Sequence, residues 1–198
     1  MTSAAARSLL AAWDNGSALD PAAFPLTDPD AGLALQTEIN ALRRARGERE
    51  LGMKIGFTNR SIWPRYNVYA LIWGTVWDYT LSFCDGEGVI SLARTCQPRI
   101  EPEVVFGLGS TPPPGATLHQ LFDALDWIAP GFEVVQSHQA DWKFEAAHTV
   151  ADSGLHARLL VGQRLAVRSL APAATALDAR LGASQARLSC AGVPRDQG

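Results

Sequence analysis

The sequence predicts an α+β fold, in which an N-terminal helical portion packs on a mainly antiparallel, partly open sheet. Apolar residues recur at helical spacing between positions 27 and 47, whereas short β-type segments separated by turn residues follow from position 51. Hydrophobic residues make up 47% of the 198 positions and charged residues 19%, which is a globular composition. The length is near that of one domain, and the change of pattern divides it into a helical portion, residues 1–50, and a β-rich portion, residues 51–198.

The helical portion has its best-marked helix directly after Thr27. We expect Thr27 to be the N-cap, because Asp28, Pro29 and Asp30 then form an acidic first turn that suits the positive end of the helix dipole. Before Gly47 ends the helix, apolar side chains recur on one face at Leu35, Ile39 and Leu42.

The β-rich portion contains short segments of β-branched and aromatic residues bounded by turn residues. Two of them, residues 77–83 and 89–92, flank Asp85-Gly-Glu-Gly88, and this arrangement predicts a hairpin. The remaining strand predictions cover residues 51–57, 99–106, 132–135, 159–161 and 165–167.

One further helix is predicted between the strands. Thr117 and Gln120 have the spacing of a capping box, and apolar residues then repeat at helical spacing as far as Ile128. The following Ala129-Pro-Gly131 is expected to stop the helix. Residues 171–176 are interpreted as an Ala-rich joint.

Charge and residue spacing exclude several classes of function. The net charge of −3 and the absence of a basic run argue against nucleic acid as a partner. The apolar runs are shorter than a membrane span, and the N-terminus lacks the pattern of a signal peptide, so we expect a cytoplasmic protein without membrane contact. The three cysteines and four histidines have no zinc-site spacing.

Three glutamates form the candidate site for a metal ion. Glu101 and Glu103 are two positions apart on a predicted strand, so both side chains lie on the same face, where they repel each other unless a cation lies between them. The alternative is a solvent-facing edge strand, which Pro102 also suits. Glu133 lies between Phe132 and Val134, which we expect on the packed face. Three carboxylates without His or Cys favour Mg²⁺, Mn²⁺ or Ca²⁺ over zinc.

Lys54 is one of only two lysines and lies inside an apolar predicted strand. If Met53 and Ile55 face the core, Lys54 faces the opposite side of that strand. Arg60 is a candidate to bind a substrate carboxylate through paired hydrogen bonds. A solvated surface role is the alternative for both side chains.

Four motifs together resemble one enzyme family. Their order and spacing between about residues 27 and 162 are similar to the 2-keto-4-pentenoate hydratase and 2-oxo-3-hexenedioate decarboxylase family, which has the fumarylacetoacetate hydrolase-like fold with a barrel-like sheet. The motifs are Gly52-Met-Lys-Ile-Gly-Phe-Thr58, Pro98-Arg-Ile-Glu-Pro-Glu-Val-Val-Phe106, Pro130-Gly-Phe-Glu-Val-Val135, and Asp141-Trp-Lys143 with Thr149-Val-Ala-Asp152.

The resemblance implies roles for individual residues. Glu101, Glu103 and Glu133 match the ligands of a Mg²⁺ or Mn²⁺ ion, and Lys54 matches a lysine that assists proton transfer beside the substrate. Asp78 aligns with an acidic position facing the same pocket, whereas a turn aspartate bonded to the backbone is the alternative. The chain departs from the family after Ala151, where it reads Asp-Ser-Gly-Leu-His156 instead of the frequent Asp-Asn-Ala-Ser.

The resemblance also implies an activity. The leading expectation is a metal-dependent hydro-lyase that adds water to 2-hydroxypenta-2,4-dienoate during meta-cleavage degradation of aromatic compounds. Decarboxylation of 2-oxo-3-hexenedioate is the first alternative. A non-catalytic remnant or partner subunit is the second, because family members continue beyond the segment that resembles residues 177–192. Expected partners are a small 2-oxo or 2-hydroxy dienoate, further copies of the chain in a homo-oligomer, and another enzyme of the pathway.

Overall fold

The computed structural model describes residues 2–20, 25–26 and 28–198. The helices in this part of the chain are α1 (Ala4–Asn15), α2 (Pro29–Ala45), α3 (Trp63–Tyr66), α4 (Leu118–Ala124), α5 (Ala146–Ala151), α6 (Val167–Leu170) and α7 (Ala174–Gly182). Short 3-10 turns occupy Arg60–Ile62, Ala140–Trp142 and Ser153–Leu155. None of the helices within the described ranges has the length and apolarity to cross a membrane.

The strands form open sheets, as the sequence predicts. They are β1 (Glu50–Gly56), β2 (Ile72–Trp77), β3 (Leu81–Phe83), β4 (Arg99–Leu108), β5 (Leu125–Val135), β6 (His156–Val161), β7 (Leu165–Ala166), β8 (Arg187–Cys190) and β9 (Val193–Gln197). β1 pairs with β2 and β8 with β9, each pair antiparallel. A five-stranded sheet has the order β3-β6-β5-β4, and β7 pairs with β5 in antiparallel orientation. The predicted α+β class is therefore confirmed.

The chain divides into two compact units, and the first contains the N-terminal helices. This unit comprises Met1–Ser82, Val89–Glu101 and Glu133–Leu159. The side chain of Gln36 in α2 donates to the carbonyls of Trp73 (3.0 Å) and Val150 (2.9 Å), which fixes the helix against β2 and α5. Two apolar clusters form the core of the unit: one includes Leu9, Trp13, Leu35, Ile39 and Ala151, and the other Val68, Ile72, Val135, Phe144, Val150 and Leu155.

The second unit comprises Phe83–Gly88, Pro102–Phe132 and Leu160–Gly198. Its apolar core joins α4 with the C-terminal helices and is formed by Phe122, Ile128, Val167, Ala171, Ala174 and Leu177. The division of the chain at residue 50 stays a prediction.

A buried polar contact connects α1 to the segment after α5. Asp152 accepts hydrogen bonds from the indole N–H of Trp13 (2.9 Å) and from the backbone N–H of His138 (3.2 Å), and Nδ1 of His138 lies 2.8 Å from the same carboxylate. All three side chains are buried. Because buried donors without a partner are costly, these contacts fix the chain around Asp152.

The predicted capping-box helix is correct at its start and wrong at its end. Thr117 and Gln120 form both hydrogen bonds of the capping box. The helix ends at Ala124, however, and Leu125 to Ile128 belong to β5, as do Ala129-Pro-Gly131. Trp127 and Ile128 pair with β7, and this long-range pairing overrides the local helical spacing.

Other boundaries also differ from the sequence prediction. Thr27 lies outside the described residues, and the N-cap of α2 is Asp28, whose carboxylate accepts from the backbone N–H of Ala31 at 2.8 Å. Residues 89–92 form no strand, and the predicted strand over residues 77–83 is divided between the end of β2 and β3. The Ala-rich joint continues into the helix α7.

Gly74 provides a test of the packing in the first unit. A methyl group on Gly74 of β2 would overlap the carbonyl group of Ser153, whereas one on Gly52 of β1 would meet open space. We expect Gly74→Ala to lower the free energy of unfolding by at least about 2 kcal/mol, since the clash is with backbone. Gly52→Ala is the matched control and should leave it nearly unchanged. Urea denaturation measures both, and equal stabilities would contradict this packing.

Candidate metal centre

Lys54 lies on the inward face of β1. The residues on either side of it in the strand, Met53 and Ile55, are 61% and 58% exposed, whereas the Lys54 side chain is only 9% exposed. The condition that Met53 and Ile55 face the core is therefore not met, although Lys54 does lie on the opposite face of the strand from them. The apolar face of β1 is turned to solvent, and the charged side chain is turned inward.

The three predicted glutamates converge. Glu101 and Glu103 are two positions apart on β4 and therefore lie on the same face of that strand, and Glu133 lies on β5. One carboxylate oxygen from each residue can be chosen so that all three lie within 4.8 Å of one another. Glu101 is exposed, Glu103 is partly buried and Glu133 is buried. Their proximity is a finding, and their role as metal ligands stays a prediction.

Glu133 is the buried member of the group and is 3% exposed. We expected both neighbours of Glu133 on the packed face. That expectation is correct for Val134, which is buried, and wrong for Phe132, which is exposed. Its Oε2 lies 3.2 Å from Nζ of Lys54, and its Oε1 lies 2.8 Å from Nδ1 of His156. Each carboxylate oxygen thus has a partner of its own.

The ammonium of Lys54 has a second partner in the turn before β6. Nζ donates to the backbone carbonyl of Gly154 at 2.8 Å. Together with the ion pair to Glu133, this contact fixes the end of a flexible side chain beside the carboxylates. The position is compatible with the predicted role in proton transfer.

His156 is a member of the site that no sequence pattern indicated. It is fully buried at the start of β6, and its Nε2 lies 2.8 Å from the hydroxyl oxygen of Thr80. Burial lowers the pKa of the imidazole, against the opposing effect of Glu133. The histidines have no zinc-motif spacing in the sequence, and spacing cannot identify one buried histidine that contacts a distant carboxylate. His156 precedes the predicted strand at residues 159–161 by three positions, so the sequence offered no local signal for it.

The surroundings of Glu101 raise the pKa of its carboxyl. Although part of the residue is exposed, the protein atoms around its carboxyl raise its pKa above the ordinary value of 4.5 by desolvation. Lys54 opposes that shift, and the like charge of Glu133 adds to it. The carboxylates of the metal-free protein therefore repel each other, and a divalent cation would relieve that repulsion.

Asp78 lies at the other end of the β1–β2 pair. Its Oδ2 is 3.0 Å from Nε of Arg49, and it also accepts from the backbone N–H of Arg49, which lowers the pKa of its carboxyl. Arg49 precedes Lys54 by five residues, about 16 Å of extended chain. The described contacts of Asp78 include neither Lys54 nor the glutamates, and its catalytic role stays a prediction.

Arg60 lies in the 3-10 turn after β1. Its guanidinium is positioned over the ring of Trp63, 5.4 Å from the ring centroid. The residue is exposed, and its described contact is this stacking on a neighbouring aromatic ring. A role in substrate binding stays a prediction.

The donor set fits a hard divalent cation. The converging atoms are carboxylate oxygens, which suit Mg²⁺, Mn²⁺ or Ca²⁺. The nearby His156 is engaged at both ring nitrogens by Glu133 and Thr80. Neither nitrogen is therefore offered to a metal in this arrangement.

Replacement of Glu101 by glutamine tests the repulsion. A raised pKa in the folded state means that Glu101 costs stability when ionised, and that this cost develops as the pH rises from 4.5 through the raised value. We expect Glu101→Gln to raise the melting temperature of the metal-free protein at pH 7 and to have no such effect at pH 3.5. Glu87→Gln, in an exposed turn, is the control. A lower melting temperature for Glu101→Gln at pH 7 would show that Lys54 outweighs desolvation.

Comparison with known sequences identifies relatives of the chain. No protein-family model matches it. It is 34% identical over 148 residues to 2-hydroxyhexa-2,4-dienoate hydratase of Comamonas testosteroni, covering 71% of this chain and 56% of that protein. It is 35% identical over 153 residues to 2-keto-4-pentenoate hydratase of Paraburkholderia xenovorans LB400, covering 75% and 56%. A 4-oxalocrotonate decarboxylase of Pseudomonas sp. strain CF600 is 32% identical over 134 residues, with 67% and 50% covered.

Solved structures show the same fold. The 4-oxalocrotonate decarboxylase of Pseudomonas putida G7, complexed with magnesium and adipate, aligns with a TM-score of 0.72 at 24% identity, over 84% of this chain and 64% of that one. The same enzyme complexed with calcium and acetate gives a TM-score of 0.70 at 25% identity, over 84% and 63%.

These similarities agree with the resemblance carried by the four motifs. The chain spans about half the length of the curated relatives it matches. By sequence and fold, it belongs to the family of 2-keto-4-pentenoate hydratases and 4-oxalocrotonate decarboxylases, which has the fumarylacetoacetate hydrolase-like fold.

Proposed function

We propose that the chain carries the metal-binding face of a divalent-metal-dependent hydro-lyase. The reaction is the addition of water to 2-hydroxypenta-2,4-dienoate to give 4-hydroxy-2-oxopentanoate, in the meta-cleavage degradation of aromatic compounds. The observation that carries the proposal is the convergence of three carboxylates within 4.8 Å, with the Lys54 ammonium 3.2 Å from Glu133. The hydratases among the relatives support this choice of reaction.

In this proposal, Glu101, Glu103 and Glu133 hold Mg²⁺ or Mn²⁺. The magnesium and calcium in complexes of the related decarboxylase support a hard divalent ion. When bound, the ion supplies Lewis acidity that polarises the oxygen atoms of a 2-oxo or 2-hydroxy acid. Three carboxylates exceed the charge of a dication by about one negative charge, and the ammonium of Lys54 offsets that excess.

Lys54 is positioned to move a proton. An ammonium has three N–H donors, and Glu133 and Gly154 take two of them in the contacts described. The third N–H is directed to the substrate in our proposal, where it hydrogen-bonds the developing negative charge or transfers a proton. A group in such a position typically contributes roughly 10² to 10⁴ in rate.

Decarboxylation of 2-oxo-3-hexenedioate is the second candidate reaction. The fold similarity to 4-oxalocrotonate decarboxylase favours it. Both reactions require stabilisation of negative charge on the same 2-oxo acid group, so the four charged residues serve either. The substrate in both cases is a small dienoate. Assembly as a homo-oligomer, a complex with another pathway enzyme and a cytoplasmic location stay predictions.

Product analysis tests the reaction and the role of Lys54 together. With saturating Mg²⁺, the full chain should convert 2-hydroxypenta-2,4-dienoate to 4-hydroxy-2-oxopentanoate, and Lys54→Met should lower the rate at least about 100-fold. Lys143→Met, at the exposed second lysine, should match the wild type. Circular dichroism must show folded protein, because loss of a partner from a buried ion pair costs about 3–5 kcal/mol.

The same assay separates the alternatives. If the chain releases carbon dioxide from 2-oxo-3-hexenedioate and does not hydrate the dienoate, its activity is that of a decarboxylase and the hydratase proposal is wrong. Metal binding without turnover of either compound would contradict the enzymatic proposal and support a non-catalytic partner. Equal rates for the wild type and Lys54→Met would remove Lys54 from the mechanism.

Metal binding is expected to stabilise the folded chain. A ligand at 100 times its dissociation constant adds about 2.7 kcal/mol to the free energy of unfolding when only the native state binds it. Millimolar Mg²⁺ or Mn²⁺ should therefore raise the melting temperature, and Glu103→Gln should abolish most of that increase. Glu87→Gln is the control. A response to zinc alone would show that the all-oxygen assignment is wrong.

A further inference from the structure

The orientation of the Glu133 carboxylate depends on the side chains that hold it. Glu133 is buried, and its two oxygens have different partners: Lys54 at 3.2 Å from Oε2 and His156 at 2.8 Å from Oε1. Lys54 has a flexible stem, whereas an imidazole is a rigid ring. Gly154 holds the Lys54 ammonium at one carboxylate oxygen, and the rigid ring of His156 adds a second fixed contact at the other, so that His156 sets the plane of the carboxylate.

His156 is itself held at its second nitrogen. Nε2 lies 2.8 Å from the hydroxyl oxygen of Thr80, which accepts the backbone N–H of Trp77 at 3.1 Å. The carbonyl of Thr80 in turn accepts the N–H of Leu159 in β6, at 2.8 Å. Thr80, Trp77 and His156 are buried. The ring is thus locked between the turn after β2 and the carboxylate of Glu133.

We propose that His156 is a positioning residue of the metal centre, whose Nδ1–H fixes the Glu133 carboxylate in the orientation that converges with Glu101. The metal-binding part of this proposal rests on the proposed function. An ionised carboxylate only accepts hydrogen bonds, so the proton of this contact belongs to Nδ1. Groups that orient a metal ligand in this way typically change metal affinity 10- to 100-fold when removed.

A buried histidine that only fills the core would affect stability without affecting metal affinity. The two roles are separated by a donor-retaining variant. In His156→Asn, the amide N–H can take the place of the Nδ1–H, whereas His156→Leu keeps bulk and removes the donor. His119→Leu, at an exposed histidine of α4, is the matched control.

Titration of the full chain with Mn²⁺, followed by the paramagnetic resonance signal of the free ion, measures the affinity without any activity assay. We expect His156→Leu to weaken binding about 10- to 100-fold, His156→Asn to recover most of the loss, and His119→Leu to match the wild type. If folded His156→Leu binds Mn²⁺ as tightly as the wild type, the proposal is wrong.

Two further measurements keep the proposal testable. If His156→Leu does not fold, Thr80→Val removes the support of the ring, and unchanged Mn²⁺ affinity in that variant would overturn the proposal. If the wild type binds no Mn²⁺, the proposed function fails separately. In that case, crystal structures of the metal-free variants test the positioning role of His156. The Glu133 carboxylate should turn away in His156→Leu and stay in place in His156→Asn. An unmoved carboxylate in His156→Leu would show that His156 does not position it.

Discussion

The buried carboxylate of Glu133 is the interaction on which the rest of the site depends. Removing an ionised side chain from water costs several kcal/mol unless the charge is paired and hydrogen-bonded. Glu133 meets both conditions, because Lys54 reaches it from β1 and His156 from β6. One carboxylate therefore determines where a lysine and a histidine from distant parts of the sequence must lie.

The segment from Asp152 to His156 supports this arrangement from one side. Asp152 is fixed by Trp13 and His138, and the hydroxyl of Ser153 accepts the backbone N–H of Thr75 at 3.1 Å. The next carbonyl, that of Gly154, accepts the ammonium of Lys54. The site residues are thus set by backbone and buried side chains together, which gives them the rigidity that a preorganised metal centre requires.

Local rules predicted a large part of the fold. The strand around Lys54, the strand of Glu101 and Glu103, and the capping box at Thr117 follow from alternation and capping, which act within a few residues. The end of α4 could not be predicted in this way. The run from Leu125 to Ile128 fits helical spacing, but pairing with β7 decides for a strand.

The sequence by itself determined that Glu101 and Glu103 share a face and that Lys54 lies opposite Met53 and Ile55, because side-chain parity is a property of any extended chain. The strand position of Glu133 made it a third candidate, and family resemblance assigned all three glutamates the role of metal ligands. Only the tertiary structure decided which face of β1 is buried, and that His156 and Thr80 support the site. Those contacts join positions far apart in the chain. They form because buried polar groups must find partners when the chain packs, and no local sequence pattern specifies which partners those are.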